Sequence, residues 1–251
     1  MPLRLSRVTS TTDFEEITRV QFLAYRDPWI PLLQLFFPVA DSSPDAYEAA
    51  IKDATRRITE WHQSDPTSTW LKVTDDATGR IAGAACWHMY DHDPYTTYPD
   101  IDCYWWPKGE DRKVANALMR QFLEARRTYM RRPHMCMKPV FSAFVLDNCF
   151  THPEFRRRGV ATLLIDWGIR QADAQGLGTY VDASDMGLQF YRRRWGFVAD
   201  EQRELTMAGL PVTPRRVELG KQLLPSGWWP CYRPVGGKYE PERDALPWDK
   251  T

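Results

Sequence analysis

The stretch Thr151-His152-Pro153-Glu154-Phe155-Arg156-Arg157-Arg158-Gly159-Val160-Ala161 decides how this chain is read. Ahead of it, Phe141–Thr151 is apolar on both faces. Phe144, Leu146 and Phe150 point one way and Ala143, Val145 and Cys149 the other, which predicts a strand covered on both sides. Behind it, Val160, Leu163, Leu164 and Trp167 predict the inward stripe of a helix over 159–174, ended by Gly176-Leu177-Gly178. At such a strand-to-helix turn the first N–H groups of the helix have no partner, and the helix dipole adds partial positive charge. Phosphate binds there. Glycine at 159 and the small Ala161 let a ligand approach the backbone, and Arg156, Arg157 and Arg158 add full charges. The same triplet also suits an ordinary solvated helix start. The fingerprints G-x-x-x-x-G-K-S/T and G-x-G-x-x-G are absent, so ATP and NAD are poorly matched.

The flanking chain reads as alternating elements. Leu3–Val8 predicts a first strand. A helix follows to about Tyr25, with Phe14, Ile17, Gln21 and Tyr25 on one stripe. The apolar Leu32–Phe37 is expected to pack over a core or a pocket. Ser42-Ser43-Pro44-Asp45 opens a helix whose Tyr47, Ile51, Ala54, Ile58 and Trp61 share a face. Trp70–Thr74 and Arg80–Met89 form a hairpin about Asp75-Asp76-Ala77-Thr78-Gly79. Glu110–Met130 is helical, with Val114, Leu118, Phe122, Ala125 and Tyr129 in line. Thr179–Ala183 predicts a strand, and Ser184 or Asp185 caps a helix to Arg194. A last strand pair is expected at about 198–207 and 216–219. A Pro-, Gly- and Trp-rich tail, about 224–251, then wraps the surface without periodicity. The segment Tyr90–Gly109 is irregular, acidic and aromatic, and forms part of an insertion over about 90–140.

Composition bounds the function. The 251 residues allow one large domain or two small ones. With 33 basic and 33 acidic side chains the net charge is zero, which argues against a nucleic-acid partner. Five scattered cysteines without a C-x-x-C pair fit reduced thiols. Neither a signal-peptide core nor a membrane-length apolar run occurs. A cytoplasmic protein with no membrane partner is expected, nuclear residence being also open.

The turn also carries a resemblance. Arg156-Arg157-Arg158-Gly159-Val160-Ala161 resembles the motif of the GNAT superfamily of acyl-CoA-dependent N-acyltransferases: Arg or Gln, two residues, Gly, one residue, then Gly or Ala. Leu146–Pro153 resembles the family's central strand. Ala183-Ser184, Gly187, Phe190-Tyr191 and Gly196-Phe197 resemble its following strand, helix and closing Gly-Phe. The match spans roughly 60–70 residues in order and spacing, and its flavour is that of fungal members.

The resemblance implies an α/β (α+β) fold: a single domain over 1–251, with a twisted mixed sheet splayed between central strands and helices on both faces. It implies acetyl-CoA as co-substrate. Phe150, Thr151 and His152 would lie along the pantetheine arm. Arg156, Arg157, Arg158, Gly159, Val160, Ala161 and Thr162 would hold the pyrophosphate. Ser184 stands where many members carry an Asn that contacts CoA, with Gly187 in the same segment. No metal is implied. In the family a Tyr four residues before the closing Gly often protonates the CoA sulfur. Counting forward from Ser184, that place is Tyr191; counting back from Gly196, it is Arg192, because this chain has one extra residue. A phenol can donate a proton and an arginine cannot usefully do so, which favours Tyr191. The same insertion would alternatively turn Tyr191 into the core.

For the base, Asp147 on the Val145–Cys149 face is the candidate, since a carboxylate buried there needs a partner or a function and its pKa would rise. A structural hydrogen bond is its plainer role. His88, Asp91 and His92 are alternatives, and a metal on His88 and His92 with Asp91 or Asp93 is weakly supported. Carboxylates and aromatics in Tyr90–Trp106 suit the wall of a cationic amine site, or a flap with buried Trp anchors. These readings together point to N-acetyl transfer to a small primary amine. Protein or peptide acetylation, acyl-CoA binding without turnover, and nucleic-acid binding through Arg131, Arg132 and the other arginines are the competitors. Oligomeric state is left open.

Overall fold

Hydrophobic spacing and capping side chains set the elements. A computed structural model describes residues 2–90, 101–130, 143–242 and 244–249, with the backbone alone at 143 and 144. In chain order they are β1 (Leu3–Arg7), α1 (Asp13–Arg26), α2 (Leu32–Phe36), α3 (Pro44–Ser64), β2 (Ser68–Asp75), β3 (Ile81–Tyr90), α4 (Glu110–Tyr129) and β4 (Ala143–Thr151). Then come α5 (Val160–Ala174), β5 (Thr179–Ala183), α6 (Asp185–Trp195), β6 (Val198–Ala199), β7 (Arg203–Glu204), α7 (Pro214–Leu223) and β8 (Gly227–Arg233). The fold class is α/β, as expected. Ser43, Ser184 and Thr213 cap α3, α6 and α7, their hydroxyls accepting the N–H of Ala46, Gly187 and Arg216 at 3.2, 3.3 and 3.2 Å. Each such cap contributes about 1 kcal/mol. No helix among the described residues is long and apolar enough to cross a membrane.

The residues cluster into two units. The first comprises Met1–Ile30, Val39–Met89 and Phe144–Thr179. Its strand order is β1-β2-β3-β4. β1 runs antiparallel to β2 with Leu5 opposite Val73, and β2 antiparallel to β3 with Trp70 opposite Cys86. α1 packs on α3, where the Phe22 and Tyr47 rings meet edge to face at 5.4 Å. The buried stripe of α5 is Val160, Leu164, Gly168 and Ala172, flanked by Ile165 and Ile169. Leu163 and Trp167, expected inside, are only half-buried. The helix is turned by about one residue because Trp87 lies on Gly168: a Cβ there would come within 2.2 Å of the indole. Trp87 Nε1 also donates to the Leu164 carbonyl at 3.2 Å.

The second unit comprises Pro31–Pro38, Tyr90–Ala143 and Tyr180–Thr251. Its strands run β5-β8-β6, with β7 also on β8. Val198 is opposite Tyr232, and Arg203 opposite Trp228. Two expectations are corrected here. The segment 216–219 is helical, because Thr213-Pro214 starts a helix that buries Leu219 and Leu223 four residues apart. The tail contains a strand, β8, whose pairing partners lie too far off in sequence to be read locally. Leu32–Phe37 packs as expected: Leu35 joins Cys103, Leu118, Met119, Leu219 and Trp228 in a core cluster. Trp105 and Trp106 both donate from Nε1 to the Leu35 carbonyl at 2.9 Å.

Gly168→Ala forces a methyl group into the Trp87 ring. It is expected to lower stability by about 1–3 kcal/mol, read as an earlier midpoint in urea with an unchanged slope.

Candidate functional site

The central turn lies wholly within the first unit. β4 ends at Thr151, a short 3-10 helix covers Pro153–Phe155, and α5 begins at Val160. His152 is buried and structural. Its N–H donates to the Ala82 carbonyl at 2.9 Å, its own carbonyl accepts from Phe155, and its Nδ1 accepts the Glu154 N–H at 3.2 Å. Burial, and then Arg80 and Arg156 against an opposing Glu154, lower its pKa and favour neutral imidazole. The N–H of His152, a residue the resemblance would set along the pantetheine arm, is thus taken up within the fold. Phe150 is buried, its ring 6.1 Å from Tyr25, and Thr151 is half-buried.

The three arginines have three different environments. Arg156 donates to the carbonyls of Ala24 (3.0 Å) and Asp27 at the end of α1. Arg158 lies over the Phe155 ring at 5.2 Å, and Arg80 reaches the same ring at 5.4 Å. Arg157 is exposed, with φ 61 in the left-handed region. That conformation costs a non-glycine residue roughly 1–2 kcal/mol, and such strain gathers at ligand sites. Gly159 follows with φ 88, and nothing stands within 4 Å of the place a Cβ would take. The first intrahelical bond runs from Leu163 N–H to the Gly159 carbonyl at 3.0 Å. The N–H groups of Val160, Ala161 and Thr162 thus precede the ladder at the positive end of a 15-residue helix. Open space before a left-handed glycine, three unladdered donors and a flanking guanidinium fit a pyrophosphate. Arg80 escaped sequence reading, since nothing near it in the chain marks its link to Glu154 at 2.8 Å.

Ser184, Gly187 and Tyr191 belong to the second unit. Ser184 is spent on capping α6. Tyr191 is 8% exposed; its ring centroid lies 5.4 Å from Phe197 and 6.2 Å from Trp195. A Cβ on Gly187 would come 2.9 Å from its ring. Arg192 is exposed.

Asp147 departs from expectation. It is exposed on β4, between buried Leu146 and half-buried Asn148. Apolar neighbours in sequence suggested cover that the fold does not supply at this position. Asn148 instead accepts from Tyr25 Oη at 2.8 Å. His88 lies on β3, its Nδ1 3.2 Å from Asp65 Oδ2. Asp91, His92 and Asp93, and with them much of the expected acceptor wall, lie outside the described residues. Within that wall Trp106 is buried in the core.

Residues 141–219 match the family described as acetyltransferase (GNAT) domain. No curated protein matches the sequence. Among solved structures, a Drosophila melanogaster polyamine N-acetyltransferase is 14% identical over 93% of this chain and 100% of its own, with a TM-score of 0.58. Arylalkylamine N-acetyltransferase 2 from Aedes aegypti is 14% identical over 94% and 100%, with a TM-score of 0.56. A structure from Corynebacterium glutamicum, described as histone acetyltransferase HPA2 and related acetyltransferase, is 18% identical over 94% and 97%, with a TM-score of 0.52. At these identities the likeness is one of fold. The central turn falls inside the matched residues 141–219.

Arg156 ties the turn to α1, so Arg156→Ala is expected to cost about 1–3 kcal/mol of stability. Arg157→Ala should stay within about 0.5 kcal/mol. Paired urea melts check both.

Proposed function

We propose that the chain is an acetyl-CoA-dependent N-acetyltransferase that moves the acetyl group to a small primary amine by direct attack on the thioester. The observation that carries this reading is the open, positive turn at Arg157–Thr162 within the matched segment. The names of two similarly folded proteins, a polyamine and an arylalkylamine N-acetyltransferase, support a small-amine acceptor. The thiols of Cys86, Cys149 and Cys231 are free, which suits a reducing cytosol.

In this reading the N–H groups of Val160, Ala161 and Thr162 hold the pyrophosphate, Gly159 leaves room for it, and Arg157 and Arg158 add charge. Phe150 and Thr151 end the strand beside the pantetheine arm, and Ser184 and Gly187 open the helix that carries Tyr191. Bound acetyl-CoA supplies an activated acyl thioester. The chain's own residues bring the amine into reach and manage protons. Tyr191 hands its phenolic proton to the departing sulfur. Asp147, exposed to solvent, takes the proton of the ammonium directly or through water.

Thiol release from acetyl-CoA, followed across polyamines, arylalkylamines, amino sugars and lysine peptides, tests the reading. Turnover with small amines alone supports it. Turnover with peptides alone moves the acceptor to proteins, and tight CoA binding without turnover makes the chain a binder. Gly159→Glu fills and charges the open space, and is expected to abolish CoA binding in calorimetry while the fold persists. Tyr191→Phe should lower kcat on the order of a hundredfold, with KM for acetyl-CoA little changed. An unchanged kcat would make Tyr191 a packing residue.

A further inference from the structure

β2 and β3 set a thiol, an imidazole and a carboxylate in line within the first unit. The register pairs Trp70 with Cys86 and Ser68 with His88, so Cys86 and His88 share a face two residues apart. Cys86 Sγ is 3.5 Å from His88 Nε2. His88 Nδ1 is 3.2 Å from Asp65 Oδ2 and 3.0 Å from Thr67 Oγ1. The Asp65 carboxylate is itself fixed, its Oδ1 accepting the Thr67 N–H at 2.8 Å and hydroxyl at 2.6 Å. Beyond the sulfur, Ser68 Oγ is 3.5 Å from Cys86 Sγ and 3.0 Å from His62 Nδ1. Nucleophile, base and orienting group follow one another as they do in activated thiols.

The groups acting on His88 come from every side: Asp65 before β2, Cys86 on its own strand, Asp147 on β4 and His62 on α3. Burial opposes its charged form, but Cys86, Asp65 and Asp147 outweigh burial and raise its pKa well above 6.5. The imidazole thus favours its charged form beside the sulfur. Burial governs two of the other thiols. Burial pushes Cys149 up to about 12, and burial with Asp182 next among the causes does the same to Cys231.

We propose that Cys86, paired with His88 and oriented through Asp65, is a modification site for small neutral oxidants of the peroxide class. Cys86 is 3% exposed, which excludes a bulky electrophile such as an acyl-CoA. Hydrogen peroxide is little larger than water. The thiolate attacks one peroxide oxygen, an S–O bond forms and the O–O bond breaks. The sulfur loses two electrons and becomes a sulfenic acid. The departing hydroxide takes the His88 proton and leaves as water.

The test treats the full chain with hydrogen peroxide at pH 7, quenches it into denaturant containing dimedone, and maps adducts by peptide mass spectrometry. Cys86 is expected to be labelled about tenfold faster than Cys149 and Cys231. His88→Gln should slow Cys86 about tenfold and leave the other two unchanged, thermal melting confirming the fold. If that variant does not fold, Asp65→Asn takes its place with a several-fold slowing. Labelling of Cys86 no faster than of Cys149, or an unchanged rate in the folded variant, overturns the proposal. The mass readout does not depend on acetyl transfer, so its outcome stands apart from that of the amine assay.

Discussion

At Gly83 three segments meet where a single methyl group would not fit. A Cβ there would lie 2.5 Å from the Phe150 carbonyl, 2.7 Å from Val160 Cγ1 and 3.2 Å from Thr151 Cα. Close packing makes such an approach possible only because the side chain is missing. β3 thereby draws in the end of β4 and the first residue of α5 together. The bond from His152 N–H to the Ala82 carbonyl fixes the last point of that contact. The chain between must reverse within a few residues, and the left-handed backbone at Arg157 and Gly159 completes the reversal. The open space for a phosphate is what remains when both ends of the turn are pinned.

Charge is divided by the same geometry. Arg156 is drawn inward to the end of α1, Arg158 is laid on an aromatic ring, and Arg157 is left to solvent. A run of three like charges is thus one anchor, one stacked group and one exposed group. Elsewhere a buried charge is paired: Arg126 meets Asp182, which also accepts from Tyr180 Oη at 2.8 Å. Breaking one member of such a pair leaves the other charge buried and uncompensated.

What the sequence made legible was local. Ser43 and Ser184 announced their helices because a cap acts over three residues, and Gly159 announced the turn because few other residues suit it. The spacing of Val114, Leu118, Phe122, Ala125 and Tyr129 gave the buried face of α4 for the same reason. Long-range partners were not legible. Gly168 reads as a weak helix residue until Trp87, far off in the chain, lies on it. Asp147 reads as buried because its neighbours are apolar, while exposure depends on what the fold leaves uncovered. Gly227–Arg233 reads as coil because its strand partners are chosen by topology. The Cys86–His88–Asp65 line needed the β2–β3 register as well as the residue types.

α2 belongs to the second unit, although it is made between two pieces of the first. Its neighbours α4 and α7 are synthesised much later. During synthesis Leu33, Leu35 and Phe37 therefore leave the ribosome long before the surfaces that bury them exist. Domains tend to form in the order they emerge, and transiently exposed apolar segments attract aggregation and chaperones. The first unit can close around α1, α3 and α5 while this short helix waits, tethered and unburied. A newborn chain is thus sticky at one early spot, until α7, next to the last strand, is complete.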